Sequence, residues 1–113
     1  MECLFCKIAE GKIPATLQYQ DDQVVAFSDI NPQAPVHTII IPKKHINTLN
    51  DIADADLPLV SYMIKTATKL AKDLQLNDNG YRLVLNCNAD GGQSVFHIHL
   101  HLLGGRQMMW PPG

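Results

Sequence analysis

The chain has 113 residues, 46% of them apolar, which is enough for one compact domain with a buried core and leaves no room for a second. Nine Lys and Arg against eleven Asp and Glu give a formal net charge of −2, and the longest basic run is Lys43-Lys44, which argues against sequence-general nucleic-acid binding. No apolar stretch approaches the roughly 20 residues of a bilayer-spanning helix, and the start Met1-Glu2-Cys3 lacks the basic and apolar segments of a signal peptide, so a soluble cytoplasmic protein with no membrane partner is expected.

Residues 3–10 read as a short helix ended by Gly11. Two β-prone runs follow, 16–20 and 23–28, separated by Asp21-Asp22 as in a hairpin. Pro32 and Pro35 make the next segment a loop, and Thr38-Ile39-Ile40-Ile41 before Pro42 reads as a more buried strand. From Asp56 to Leu76 the period becomes helical: Leu57, Val60, Ile64, Ala67, Leu70, Ala71 and Leu74 recur at three- and four-residue spacings while Lys65, Lys69 and Lys72 face outward. Asp56 is the expected N-cap, with Pro58 in the first turn. After the Asn79-Gly80 turn, 81–87 and 95–103 read as two further strands joined by a Gly-rich loop and closed by Gly104-Gly105. The sum is an α+β layout on a largely antiparallel sheet, with no repeat, linker or low-complexity tract.

Three of the five histidines fall within five residues, His97-Ile98-His99-Leu100-His101. In a strand these three share one face and Ile98, Leu100 and Leu102 take the other, which anchors the strand on core. A solvated strand face is the bland reading of a single such histidine, but clustering makes it a poor account of three. Same-face neighbours lie about 6.5–7 Å apart, so several imidazoles reach one phosphate. The same spacing argues against a catalytic zinc held by all three, since ligands about 2 Å from one ion must converge. Neutral imidazole, with an ordinary pKa of about 6.5, suits nucleophilic attack at pH 7.

The run His97-Ile98-His99-Leu100-His101-Leu102-Leu103 fits a histidine triad. Together with 27–35 (Phe27-Ser28-Asp29-Ile30-Asn31-Pro32-Gln33-Ala34-Pro35), Ile41-Pro42-Lys43-Lys44-His45, Gly91-Gly92-Gln93-Ser94-Val95 and 104–113 (Gly104-Gly105-Arg106 to Trp110-Pro111-Pro112-Gly113), it makes the chain resemble the histidine triad (HIT) nucleotide-binding proteins of the Hint branch over nearly its whole length. That resemblance implies one HIT domain over 1–113, a five-stranded antiparallel sheet with one long and one short helix, and a homodimer. The implied activity is hydrolysis of purine nucleoside phosphoramidates or acyl-nucleotides, conjugates of AMP or GMP, through a covalent nucleotidyl-histidine. His99 would be the nucleophile, His101 would bond a phosphate oxygen, and His37 would set the protonation of its neighbours.

The rest of the implied pocket is weighed against plainer readings. Asp29 binds ribose hydroxyls or simply makes an Asx turn. Gly91-Gly92-Gln93-Ser94 cradles phosphate through Gly92 and Ser94, or is a tight loop. Asn86 binds phosphate or leaving group, or caps a turn. Phe5, Ile8, Phe27 and Ile30 form the slot for the base, or ordinary core. The tail, 106–113, is floppy by composition, whereas the resemblance brings Trp110 toward the active site of the partner subunit. Three cysteines cannot all pair, and in a cytoplasmic setting an odd count points to thiols or metal ligands. Cys3-Leu4-Phe5-Cys6 alone lacks two ligands of a zinc site. Relatives with this motif complete a structural zinc with histidines at the positions of His45 and His97, in which case no metal is expected in the catalytic step and His97 orients the strand beside His99. Alternatives are a dinucleoside polyphosphate hydrolase, a non-catalytic nucleotide-binding adaptor, and a zinc hydrolase using the triad as ligands.

Overall fold

The computed structural model describes residues 2–113. Five strands form one antiparallel sheet in the order β1-β2-β3-β5-β4: β1 (Leu17–Gln20), β2 (Val24–Ser28), β3 (Val36–Pro42), β4 (Tyr81–Leu85) and β5 (Leu100–Gly104). A short helix, α1 (Leu4–Ala9), precedes the sheet, and a long one, α2 (Leu57–Asp73), connects β3 to β4. This is the α+β layout read from the sequence.

Alternation along the strands sorts side chains onto two faces. Val24, Ala26, Ile40, Leu100 and Leu102 meet Met63, Ala67, Leu70 and Ala71 of α2 in the main core. On the opposite face Val25, Phe27, Ile39 and Ile41 pack with Cys3 and Phe5 of the N-terminal segment. The β3–β5 register sets His37 beside Leu103 and Ile39 beside His101, so His37 and His101 project from this second face.

The helices differ from expectation mainly at their ends. The Sγ of Cys3 accepts the Cys6 N–H at the N-terminus of α1, and Gly11 beyond it sits at φ +75°, a conformation that glycine adopts without penalty. Asp56 occupies the N-cap position of α2 but does not cap it with its side chain. Its carboxylate accepts from the Ala53 N–H and from Lys44 Nζ instead. Helix α2 stops at Asp73, three residues before the end of the predicted pattern, and Gln75 at φ 61° turns the chain away.

The larger correction concerns 95–103. The ladder begins at Leu100, and residues 95–99 are not strand. On one side β5 loses its partner because β3 ends at Pro42, which has no N–H to give. On the other, β4 ends at Leu85 and the chain turns, with Asn88 at φ 60°. His97 and His99 therefore precede the strand that carries His101. β4 likewise ends two residues short of its expected limit at 87.

Leu100 is 2% exposed and opens the strand that follows His99. Leu100→Ala removes a filled core position, and a loss of about 2–5 kcal/mol is expected, read as a lower urea midpoint at unchanged slope.

Candidate functional site

The described residues carry a cavity of about 380 Å³ bounded by α1, β2, β3 and the segment before β5, lined by Phe5, Ile8, Phe27, Asp29, Ile30, Ser94, His99 and His101 among others. That volume lies within the range of small-ligand sites, and the lining pairs apolar walls with a few polar groups at one end. Leu4, Ile13, Pro14, Ala15, Ile39 and Val95 also face it. Of these, only the burial of Ile39 was anticipated; nothing in the sequence marks the link at 13–15 as a wall.

The histidines are arranged by what their ring nitrogens meet. His99 Nδ1 lies 2.8 Å from the carbonyl oxygen of His97. A carbonyl only accepts, so in the neutral ring Nδ1 carries the proton and donates it, and Nε2 is left with its lone pair. A second chain runs from Gln33, whose backbone N–H donates to His37 Nδ1 at 3.0 Å. His37 must then carry its proton on Nε2, which donates to His101 Nδ1 at 2.9 Å, and His101 in turn is protonated at Nε2. No buried side-chain N or O lacks a partner among the described residues, and neither His99 Nε2 nor His101 Nε2 has one, so both atoms open onto the cavity. The two rings stand edge to face with centroids 4.9 Å apart, closer than the same-face repeat of a regular strand.

Burial pushes the pKa of His99 below the ordinary value, opposed by its bond to the His97 carbonyl and by the Asp29 charge. Burial is also the first cause for His101, joined by His99 and His37, and takes it down to about 4. His37 is lowered by burial, with Asp29 acting the other way. All three rings are thus neutral at pH 7. Asp29 makes the turn bond of the plainer reading, accepting the Asn31 N–H at 2.8 Å, while its other oxygen lies 3.4 Å from His37 Nε2.

His97 faces elsewhere. Its Nε2–H donates to the Pro42 carbonyl at 2.7 Å, which turns Nδ1 toward Cys3 Sγ at 3.4 Å, Cys6 Sγ at 3.5 Å and His45 Nδ1 at 3.2 Å. His45 Nε2 is held in the same sense by Asn47 Oδ1. Cys3, Cys6, His45 and His97 each offer one ligand atom, all within 4.8 Å of one another. Four donors about 2.0–2.3 Å from a tetrahedral zinc stand about 3.3–3.8 Å apart, close to the separations seen. Two imidazole lone pairs facing each other at 3.2 Å also call for a cation between them. These four residues fit a structural zinc. Because His97 and His99 turn to different sites, the triad does not converge on one ion.

Four predicted residues stand apart from the cavity lining: His37 reaches it only through His101, and three others do not approach it. Asn86 and Gly92 are absent from it, and the Gly92 N–H is used by the Ala89 carbonyl inside the loop. Trp110 is 81% exposed and stacks with Arg82, 6.0 Å from guanidinium carbon to ring centroid. Gln93 went unnoticed in the sequence: it is buried, accepts the Asn88 N–H and donates to the Asn47 and Val95 carbonyls, fixing the loop that carries Ser94.

The site is thus an antiparallel sheet whose neutral, tautomer-fixed histidines open onto a ligand-sized cavity, beside a separate Cys₂His₂ cluster. The chain belongs to the HIT domain family, which matches residues 10–108. It is 48% identical over 107 residues to the purine nucleoside phosphoramidase of Escherichia coli K12, covering 95% of this chain and 90% of that one. To the 14 kDa zinc-binding protein of Zea mays it is 50% identical over 113 residues, covering 97% and 87%. The crystal structure of a HIT family hydrolase from Legionella pneumophila superposes with a TM-score of 0.98 at 60% identity, covering 99% of this chain and all of that one. These relatives support an enzyme, a hydrolase. No helix among the described residues is long and apolar enough to cross a membrane.

Folded His101 keeps its proton off down to about pH 4, whereas in the unfolded chain it takes one up at about 6.5. The unfolded state therefore binds more protons in that window. His37, also lowered, adds in the same direction. Stability is expected to be full above pH 6.5 and to fall between 6.5 and about 4, measured as a declining urea midpoint; His101→Phe should flatten the decline.

Proposed function

We propose that the protein hydrolyses purine nucleoside phosphoramidates and related acyl-nucleotides to nucleoside monophosphates through a nucleotidyl-His99 intermediate. The observation that carries this is the lone pair on His99 Nε2, fixed by the His97 carbonyl and opening onto the cavity beside the His101 donor. The relative named purine nucleoside phosphoramidase supports the substrate class.

In the first step His99 Nε2 attacks the α-phosphorus in line, an N–P bond forms, and the substrate P–N bond breaks as the amine leaves with a proton from solvent. In the second, water attacks that phosphorus, the His99–P bond breaks, the lone pair returns to Nε2 and a proton is released with the monophosphate. The Nδ1 proton stays on His99 throughout and stabilises the cationic imidazole through the His97 carbonyl. His101 Nε2–H and the Ser94 hydroxyl donate to the equatorial oxygens, where negative charge needs fixed donors more than covalent help. The purine lies between Phe5, Ile8, Phe27 and Ile30, and the ribose hydroxyls meet the Asp29 carboxylate through Oδ2, the oxygen that faces His37. Zinc on Cys3, Cys6, His45 and His97 would supply rigidity and no step of the reaction.

A homodimer fits the exposed Leu57 and Ile64 on α2, at 54% and 41% exposure, and the unpaired edge of β4. In that assembly the tail of the second copy would approach the cavity and bear on the choice of leaving group.

Hydrolysis of an adenosine phosphoramidate with a fluorogenic amine tests the reading. His99→Ala is expected to lower kcat at least about a thousandfold, as loss of a nucleophile does elsewhere, and His101→Ala about a hundredfold. Rapid quenching of the wild type should trap a protein heavier by one nucleotidyl group on intact-mass analysis. Comparable rates in wild type and His99→Ala would remove His99 from the mechanism.

A further inference from the structure

Helix α1 has six residues, well below the roughly 12–15 at which an isolated helix becomes marginal in water. Its ordering must come from outside. The backbone bonds of residues 3–12 close on the segment itself, as Lys7 N–H to the Cys3 carbonyl, Glu10 N–H to that of Cys6, and Lys12 N–H to that of Lys7. The ion pairs Lys7–Glu2 and Lys12–Glu10 are local too. Among the described residues, the polar side-chain contacts from this segment to the rest of the fold run through two atoms, Cys3 Sγ to His97 and Cys6 Sγ to His45 and His97.

Between those thiols in sequence sits Phe5, which is 5% exposed. Its ring meets His99 edge to face at 5.0 Å between centroids and Phe27 at 5.6 Å. Leu4, Phe5 and Ile8 together supply the α1 wall of the cavity. With Cys3 at its N-cap and Cys6 within it, this short segment supplies half of the metal ligands, and its Leu4, Phe5 and Ile8 supply one side of the ligand cavity.

We propose that Cys3 and Cys6 are positioning residues for the nucleotide site: by tying α1 to His45 and His97 through a metal, they seat the Phe5 wall against His99, so that metal binding and nucleotide binding strengthen each other. The inference rests on the reading of the cavity as a nucleotide site. Linkage requires the coupling to be reciprocal: if metal orders the wall that the nucleotide needs, nucleotide must tighten metal by the same factor. The cost of ordering α1 is met once, by whichever ligand arrives first.

The decisive measurement is zinc affinity of the full-length protein, by competition with a chromophoric chelator, with and without saturating AMP. About a tenfold tightening by AMP is expected, within the usual range of such couplings, with AMP affinity by calorimetry falling by the same factor when zinc is stripped. Hydrogen exchange of amides 3–10 should rise on stripping while β2, β3 and β5 stay protected. Phe5→Ala should still bind one zinc, with AMP no longer changing its affinity. A metal that merely stabilised the fold would raise the melting temperature and leave zinc affinity indifferent to AMP, which would overturn the proposal. Absence of zinc binding, or collapse of the whole sheet on stripping, would also overturn it. Failure of the zinc-loaded protein to bind AMP would instead remove the nucleotide reading, and this inference with it.

Discussion

Two backbone carbonyls, those of Pro42 and His97, decide what the adjacent histidines can do. A neutral imidazole has one N–H and one lone pair, and which nitrogen holds which is set by the partner it finds. The Pro42 oxygen takes the Nε2–H of His97 and sends its lone pair toward the cysteines. The His97 oxygen takes the Nδ1–H of His99 and sends its lone pair into the cavity. Neighbouring residues of one type thereby serve opposite sites with opposite nitrogens.

Those carbonyls are available because the ladder ends where it does. Were residues 95–99 paired with β3 as the alternation suggests, the His97 oxygen would be spent on a strand partner. Pro42 cannot donate, β3 turns off at Lys43, and the last ladder pair is Ile40 with Leu100. Ile98 keeps one anchor through its N–H to the Ile46 carbonyl and is 2% exposed in the α2 core. This leaves the His97 carbonyl, on one side of it, free to bond the imidazole of His99. The position of one proline thus bears on the chemistry of a residue more than 50 positions later, through nothing more specific than a missing N–H.

Much of this was legible in the sequence because it is written in periodicity. Alternation through 100–102 marked the two faces of β5, the β-prone run at 23–28 marked β2, and the three- and four-residue spacing from Leu57 marked α2. Clustering singled out the histidines, and the resemblance brought Cys3, Cys6, His45 and His97 into one set. What escaped has a common cause: it depends on main-chain atoms, which every residue has and no letter marks. The Gln33 N–H that sets the tautomer of His37, the Pro42 and His97 carbonyls, and the three backbone bonds of Gln93 are all of this kind. Asp56 takes the expected N-cap position of α2, but the Ala53 N–H and Lys44 hold the carboxylate that would have capped the helix.

Burial gives the histidines a further common property. It is the first cause lowering the pKa of His37, His97, His99 and His101 alike, because a buried charge loses its hydration. The uncharged ring is the form both jobs require: a protonated imidazole can neither ligate a metal nor attack phosphorus. The wall that desolvates His99 includes Phe5, so in the proposed reaction the apolar side chain that would hold the base would also help keep the His99 ring uncharged. Binding and reactivity would then be served by one contact, which α1 supplies.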